Sequence, residues 1–120
     1  MKNFLLIFVG GGIGSALRYY VSLLIKYESS VFPYSTLAVN IIGSFIIGIL
    51  FSLISKGSLH QNFNLLFAVG FCGGFTTFST FSKESILMLL QHQWNTFFIY
   101  AFLSFVGCLI ATYIGYLLAK

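Results

Sequence analysis

Residues 70–84 read GFCGGFTTFSTFSKE and combine three glycines, five hydroxyl side chains and four phenylalanines in one otherwise apolar stretch. Glycine has a low helix propensity, and threonine hydroxyls compete for backbone hydrogen-bond partners. Gly73-Gly74 followed by Thr76-Thr77 therefore predicts a break near 73–77 in a helix that would otherwise be continuous. A continuous helix that is kinked at a tight glycine crossing is the alternative interpretation.

The chain around this segment has the composition of a membrane protein. Of its 120 residues, 58% are hydrophobic and 7% are charged, and its mean hydropathy is +0.98. About 20 helical residues cross the hydrocarbon core of a bilayer, and polar breaks at 26–30, 56–64 and 91–95 separate four apolar stretches. We predict an all-α, multi-pass membrane protein with a single domain over residues 1–120. Its four transmembrane spans lie near 3–25, 33–55, 63–91 and 95–119.

Charge and cysteine usage argue against several classes of function. The net charge of +4 comes from six scattered Lys and Arg residues without a basic stripe, so we expect no nucleic-acid partner. Cys72 and Cys108 lie in apolar spans without a CxxC pair, and we interpret them as small core residues. The only carboxylates are Glu28 and Glu84. No set of nucleophile, base and orienting group can be assembled from these residues, and we expect no enzyme.

The basic residues give the chain little topological bias. On the side of the N-terminus lie Lys2, Lys56 and Lys120. Lys26 lies on the other side, with Arg18 and Lys83 in the halves of their spans nearest to it. The positive-inside rule orients a chain by the asymmetry of such residues in short loops. We therefore expect insertion in both orientations and assembly as an antiparallel homodimer within the lipid bilayer.

The predicted break is suited to hold an ion. Broken helices of transporters use freed carbonyls for cations and helix N-termini for anions, and the break can serve either kind. On a helix, Phe78 and Phe81 share a face, with Ser79 and Thr80 beside them. The edges of aromatic rings are electropositive, so the two rings can stabilise a small anion. The alternative is that both phenylalanines are ordinary core residues.

Further polar groups lie at bilayer depth on the other spans. Asn40 has an amide that marks either a pathway or an interhelical hydrogen bond. The fourth span has a stripe of groups at intervals of four, which serves either a pathway or helix packing: Tyr100, Ser104, Cys108 and Thr112. Arg18 and Glu84 lie toward the same side of the membrane. We expect either an ion pair between them at a vestibule or an arginine that snorkels to the interface.

Three segments of the chain, one in each of the first three spans, resemble the Fluc (CrcB-type) fluoride channels of bacteria. They read GGGIGSALRYY at 10–20, TLAVNIIGSFIIG at 36–48 and GFCGGFTTFSTFSKE at 70–84. The resemblance extends over essentially the whole chain. It implies a dual-topology homodimer with two antiparallel pores, which exports fluoride passively across the inner membrane and so lowers its cytoplasmic concentration.

The resemblance also implies roles for individual residues. It places Asn40, Phe78 and Phe81 on the anion path, which the stripe of Tyr100, Ser104 and Thr112 continues; Ser79 and Thr80 beside the rings complete the predicted set. Cys108 departs from the hydroxyl that is usual in this stripe. A structural sodium ion, which is not transported, would bind the backbone carbonyls of Gly73 and Thr76 at the dimer axis.

Two other functions remain as alternatives. A small multidrug exporter has a similar length and four helices. Proteins of that class, however, need a carboxylate within the first helix to couple protons to a cationic drug. The first span of this chain has none. In a non-conducting membrane scaffold, the polar groups would only join one helix to another. Glycines in the third span and paired phenylalanines favour the channel.

Overall fold

The computed structural model describes residues 1–25 and 32–120, and the regular elements in these ranges are all helices. Four of them are long and apolar enough to cross a membrane: Lys2–Leu24, Tyr34–Ser55, Gln61–Leu90 and Trp94–Ala119. The prediction of four spans is confirmed, and the ends of the helices lie within two residues of the predicted ends. Lys26 and Glu28, which were assigned to the first loop, lie outside the described residues.

The third span is divided into two helical halves by two extended residues. Thr76 has ψ 155°, and Thr77 has φ −151° and ψ 119°. The predicted break is confirmed and is narrower than 73–77, because Gly73–Phe75 is still helical. The second half, Phe78–Leu90, is α-helical.

The first half of the third span contains a feature that the sequence did not predict. A short α-helix, Gln61–Phe63, continues into a π-helix over Asn64–Cys72. π-Helices are rare in proteins overall, and those that occur are often found at functional sites. This one leads directly into Gly73–Phe75 and the break.

Glycines allow the spans to approach at backbone distance. A Cβ atom on Gly14 would lie 2.2 Å from the carbonyl oxygen of Phe71, so the first span packs directly on the π-helix. The second and fourth spans meet in the same way, because a Cβ atom on Gly48 would lie 2.1 Å from the carbonyl oxygen of Thr112. Inside lipid, where the hydrophobic effect does not drive helix association, small residues allow the close approach on which van der Waals packing depends. The first of these contacts fixes the broken span against the first span, and the second joins the second and fourth spans.

Candidate functional site at the broken helix

A cleft of about 810 Å³ opens beside the break in the third span. Five of the eight predicted pathway residues line it: Asn40, Phe78, Phe81, Ser104 and Thr112. Cys108 and both residues of the predicted sodium site, Gly73 and Thr76, also line the cleft. The structure thus brings residues from the second, third and fourth spans around one space at the level of the break.

Asn40 is fixed by two hydrogen bonds to the backbone of the break. Its Nδ2 donates to the carbonyl oxygen of Thr77 at 3.0 Å, and the amide nitrogen of Thr77 donates to its Oδ1 at 2.8 Å. An asparagine amide has two N–H donors, so this pair uses one of them. The interhelical interpretation of Asn40 is therefore correct, and the position of its side chain on the cleft leaves the pathway interpretation open as well.

Thr77 is the N-cap of the second half of the third span. Its Oγ1 accepts a hydrogen bond from the amide nitrogen of Thr80 at 3.2 Å, as N-cap side chains do. The hydroxyls of Ser79 and Thr80 also lie 3.2 Å from this oxygen. Ser79 and Thr80 thus belong to the cap, and neither is among the residues that line the cleft. Their assignment to the anion path stays a prediction.

Two neighbouring aromatic rings lie at the N-terminal end of this helix, as the sequence spacing predicted. The ring centroids of Phe78 and Phe81 are 5.4 Å apart, and the ring of Phe81 lies 5.0 Å from that of Tyr100. Phe78 is 78% exposed in the single chain. A large ring that is exposed beside a cleft is a position where a ligand or a second protein surface is expected.

Glu84 is buried and bound by two hydroxyl groups. Thr36 Oγ1 donates to its Oε1 at 2.8 Å, and the hydroxyl of Tyr100 donates to its Oε2 at 2.7 Å. Glu84 is 7% exposed and Tyr100 is completely buried. The phenol of Tyr100 therefore points to Glu84 and does not line the cleft, so its place on the pathway stays a prediction. Sequence reasoning missed Thr36, although it lies one helical turn before Asn40 on the same face.

The ion pair between Arg18 and Glu84, one of the two expectations for these residues, does not form within the described residues. Arg18 Nε donates instead to the carbonyl oxygen of Gly74 at 3.0 Å, and Ser15 Oγ lies 3.4 Å from the same oxygen. Glu84 is held by the two neutral hydroxyls of Thr36 and Tyr100. The guanidinium of Arg18 thus binds a backbone carbonyl at the break, and the side chain of Glu84 has its hydrogen-bond partners without Arg18.

The two carbonyls of the predicted sodium site have lost their helical partners. In a continuous α-helix, the carbonyl of Gly73 would accept from the amide of Thr77, and that of Thr76 would accept from the amide of Thr80. These two amides donate instead to Asn40 Oδ1 and Thr77 Oγ1. Freed backbone carbonyls at bilayer depth are the oxygens with which transporters coordinate cations. The donor chemistry at the break therefore fits a hard monovalent cation.

Ser104, which lines the cleft, has a buried hydroxyl without a hydrogen-bond partner among the described residues. A buried polar atom without a partner is unfavourable unless a ligand or water satisfies it. The second N–H of Asn40 and this hydroxyl are thus neutral donors on residues that line the cleft.

Comparison with known proteins gives matches over nearly the whole chain. A family model described as CrcB-like protein, Camphor Resistance (CrcB), matches residues 5–116. A fluoride-specific ion channel FluC of Phocaeicola vulgatus is 42% identical over 116 residues, which is 96% of each chain. Proteins of the same name from Azobacteroides pseudotrichonymphae and Gloeothece citriformis are 41% and 43% identical, and both alignments cover 100% of this chain and 98% of the relative.

Proposed function

The chain belongs to the CrcB-like family, and we infer that it is a fluoride-specific ion channel, the function for which its relatives are named. It is a multi-pass protein of the inner membrane. Fluoride moves passively down its electrochemical gradient, and export lowers the cytoplasmic concentration. A channel needs no catalytic residues, and we assign no enzymatic step to this chain.

The observation that carries this function is the set of neutral donors around the cleft. Fluoride is small and strongly hydrated, and it can pass only where protein groups replace its water without holding it firmly. The amide of Asn40 and the hydroxyl of Ser104 are such donors, and the ring edges of Phe78 and Phe81 add weak positive potential. No lysine or arginine lines the cleft within the described residues.

A second copy of the chain in the opposite orientation is proposed as the partner that closes the cleft. In the single chain Phe78 is exposed beside the cleft, and the polar side chains of Asn40 and Ser104 belong to its lining. Lipid tails cannot satisfy these groups. An antiparallel homodimer would cover each cleft with the partner and would contain two pores. The weak asymmetry of the basic residues permits such dual topology.

A structural sodium ion is proposed at the dimer axis, bound by the carbonyls of Gly73 and Thr76 from each subunit. Both carbonyls have been released from helical hydrogen bonding, as described above. Four hard oxygens suit a monovalent cation, and the charge of the ion would attract anions to the adjacent cleft. The sodium ion would remain bound while fluoride passes.

Reconstitution of the purified protein into liposomes tests the function. For a channel, a fluoride electrode records rapid fluoride efflux that is independent of a pH gradient and is not accompanied by chloride efflux. Proton-coupled uptake of a lipophilic cation would identify a small multidrug exporter instead. Vesicles that are silent in both assays would identify a non-conducting scaffold.

Separate experiments test the dimer and the sodium ion. For dual topology, a single cysteine placed at Ser58 in a variant without the two native cysteines should react with a membrane-impermeant reagent from both sides of the cell membrane. Labelling from one side only contradicts the antiparallel dimer. For sodium, replacement by N-methylglucamine should lower the melting temperature of the purified protein, and an unchanged melting temperature contradicts the cation site.

A further inference from the structure

Arg18 carries a formal charge inside the first span. It lies six residues before the end of the helix at Leu24, which is about 9 Å along the helix axis at 1.5 Å per residue. Charged side chains at such depth are expensive and usually functional. A position near a vestibule suggests a general attraction for anions, but the hydrogen bond of Arg18 indicates a more specific role.

The acceptor of this hydrogen bond is a carbonyl that the break has deprived of its donor. In a continuous helix, the amide of Phe78 would donate to the carbonyl oxygen of Gly74. Because Thr76 and Thr77 are extended, this bond cannot form. Arg18 Nε takes the place of the amide at 3.0 Å. A hydrogen bond from a charged donor is stronger than the neutral bond it replaces.

Backbone contact between the two spans brings Arg18 to this carbonyl. A Cβ atom on Gly74 would lie 2.3 Å from the carbonyl oxygen of Gly11. A Cβ atom on Gly14 would lie 2.8 Å from the amide nitrogen of Phe75. Arg18 lies four residues after Gly14 and therefore on the same face of the first span, one turn nearer to the second half of the third span. The glycines thus place Arg18 beside the break.

We propose that Arg18 is a positioning residue, which holds the third span open at Thr76 and Thr77 by serving as the donor to the carbonyl of Gly74. The carbonyls of the break then have different uses. Arg18 binds that of Gly74 and Asn40 binds that of Thr77, whereas those of Gly73 and Thr76 remain for a cation. This role rests on the proposed function, since the open break is what places Asn40 and the two rings at the cleft.

Without the bond from Arg18, the carbonyl of Gly74 can accept the helical hydrogen bond from the amide of Phe78. The third span would then become a continuous helix, and the backbone of Thr77 would move away from Asn40. The neutral contact of Ser15 Oγ with the same oxygen, at 3.4 Å, is too long to replace a charged donor.

The test compares Arg18→Lys, which keeps the charge, with Arg18→Gln, which removes it. The matched control is Lys83→Gln, an exposed cation on the third span. Hydrogen exchange of the amides at 76–80 is measured in the purified full-length protein, together with fluoride efflux from liposomes. We expect both Arg18 variants to change exchange at these amides by about tenfold and to lose about tenfold or more in flux. The control should change neither quantity.

The two measurements separate this role from others. If Arg18 acts only by its charge, Arg18→Lys keeps normal flux and leaves hydrogen exchange unchanged. This result overturns the proposal. Unchanged exchange in both variants, or altered exchange with normal flux, overturns it too. If neither Arg18 variant folds, Ser15→Ala should leave exchange at the same amides unchanged, because Arg18 remains the donor to the carbonyl of Gly74, and a tenfold change in this variant contradicts the proposal. A wild-type protein without fluoride flux would contradict the proposed function, but the exchange result would still stand.

Discussion

The side-chain amide of Asn40 and the backbone of Thr77 are joined by two hydrogen bonds of opposite direction, 2.8 and 3.0 Å long. A side chain of the second span thereby supplies a partner for a backbone amide that a continuous third span would satisfy by itself. An irregular backbone inside a bilayer is stable only when other parts of the protein provide such partners. Because Asn40 also lines the cleft, the geometry of the break and that of the candidate pathway depend on one residue.

Replacement of this amide should abolish conduction. Asn40→Asp in both subunits exchanges the Nδ2 donor for an oxygen that faces the carbonyl of Thr77. An unsatisfied buried group costs about 1–3 kcal/mol, and we expect the initial rate of fluoride efflux to fall by about 100-fold or more while the protein still elutes as a dimer. Asn95→Asp, at an exposed position of the fourth span, is the control and should conduct normally. Normal flux through Asn40→Asp would remove Asn40 from the pathway.

The ring of Phe81 should be required as well. Phe81→Ile keeps an apolar side chain but removes the electropositive ring edge and the contact with Tyr100, whose ring lies 5.0 Å away. We expect fluoride efflux to be abolished in liposomes, with the dimer intact on size-exclusion chromatography. Phe102→Ile changes a ring of the fourth span that is exposed to the surroundings and should have no effect. Equal rates in the two variants would show that ring edges do not matter.

A methyl group between the first and third spans should destabilise the fold. In Gly14→Ala the new Cβ atom would lie 2.2 Å from the carbonyl oxygen of Phe71, whereas a Cβ atom on Gly12 meets nothing within 4 Å. Overpacking of this kind costs about 1–3 kcal/mol. Thermal unfolding in detergent should therefore show a lower melting temperature for Gly14→Ala and little change for Gly12→Ala. Equal melting temperatures would contradict the backbone contact.

The buried pair of Tyr100 and Glu84 should contribute to stability. Tyr100→Phe keeps the ring beside Phe81 and removes the hydroxyl that donates to Glu84 Oε2. A buried acceptor that loses a donor costs about 1–3 kcal/mol, so the melting temperature should fall. Tyr113→Phe, an exposed tyrosine of the same helix, serves for comparison and should melt like the parent protein. The account of Glu84 fails if both variants melt alike.

The sequence predicted the spans and the break because their causes are local. Apolar stretches of membrane length are visible in the composition, and paired glycines before paired threonines weaken a helix wherever they occur. The shared face of Phe78 and Phe81 follows from helical periodicity alone. These features required no knowledge of which spans are neighbours.

The partners of the polar side chains could not be predicted in this way. Arg18 and Glu84 lie toward the same side, and an ion pair was one of two expectations for them, beside an arginine that snorkels. The structure instead places Arg18 at the carbonyl of Gly74, and Glu84 faces two hydroxyls. Such choices depend on the rotation and crossing of helices, which periodicity does not define. The π-helix Asn64–Cys72 was missed for a similar reason: nothing in its residues distinguishes it from an apolar α-helix.

The reversal potential of the purified protein in a planar bilayer tests the central claim most directly. The experiment uses opposed gradients of fluoride and chloride and a pH difference across the membrane. If the pathway of neutral donors conducts fluoride selectively, the current should reverse at the equilibrium potential of fluoride. Removal of the pH difference should leave that value unchanged. A reversal at the chloride or proton equilibrium potential, or a membrane without current above background, would contradict the account.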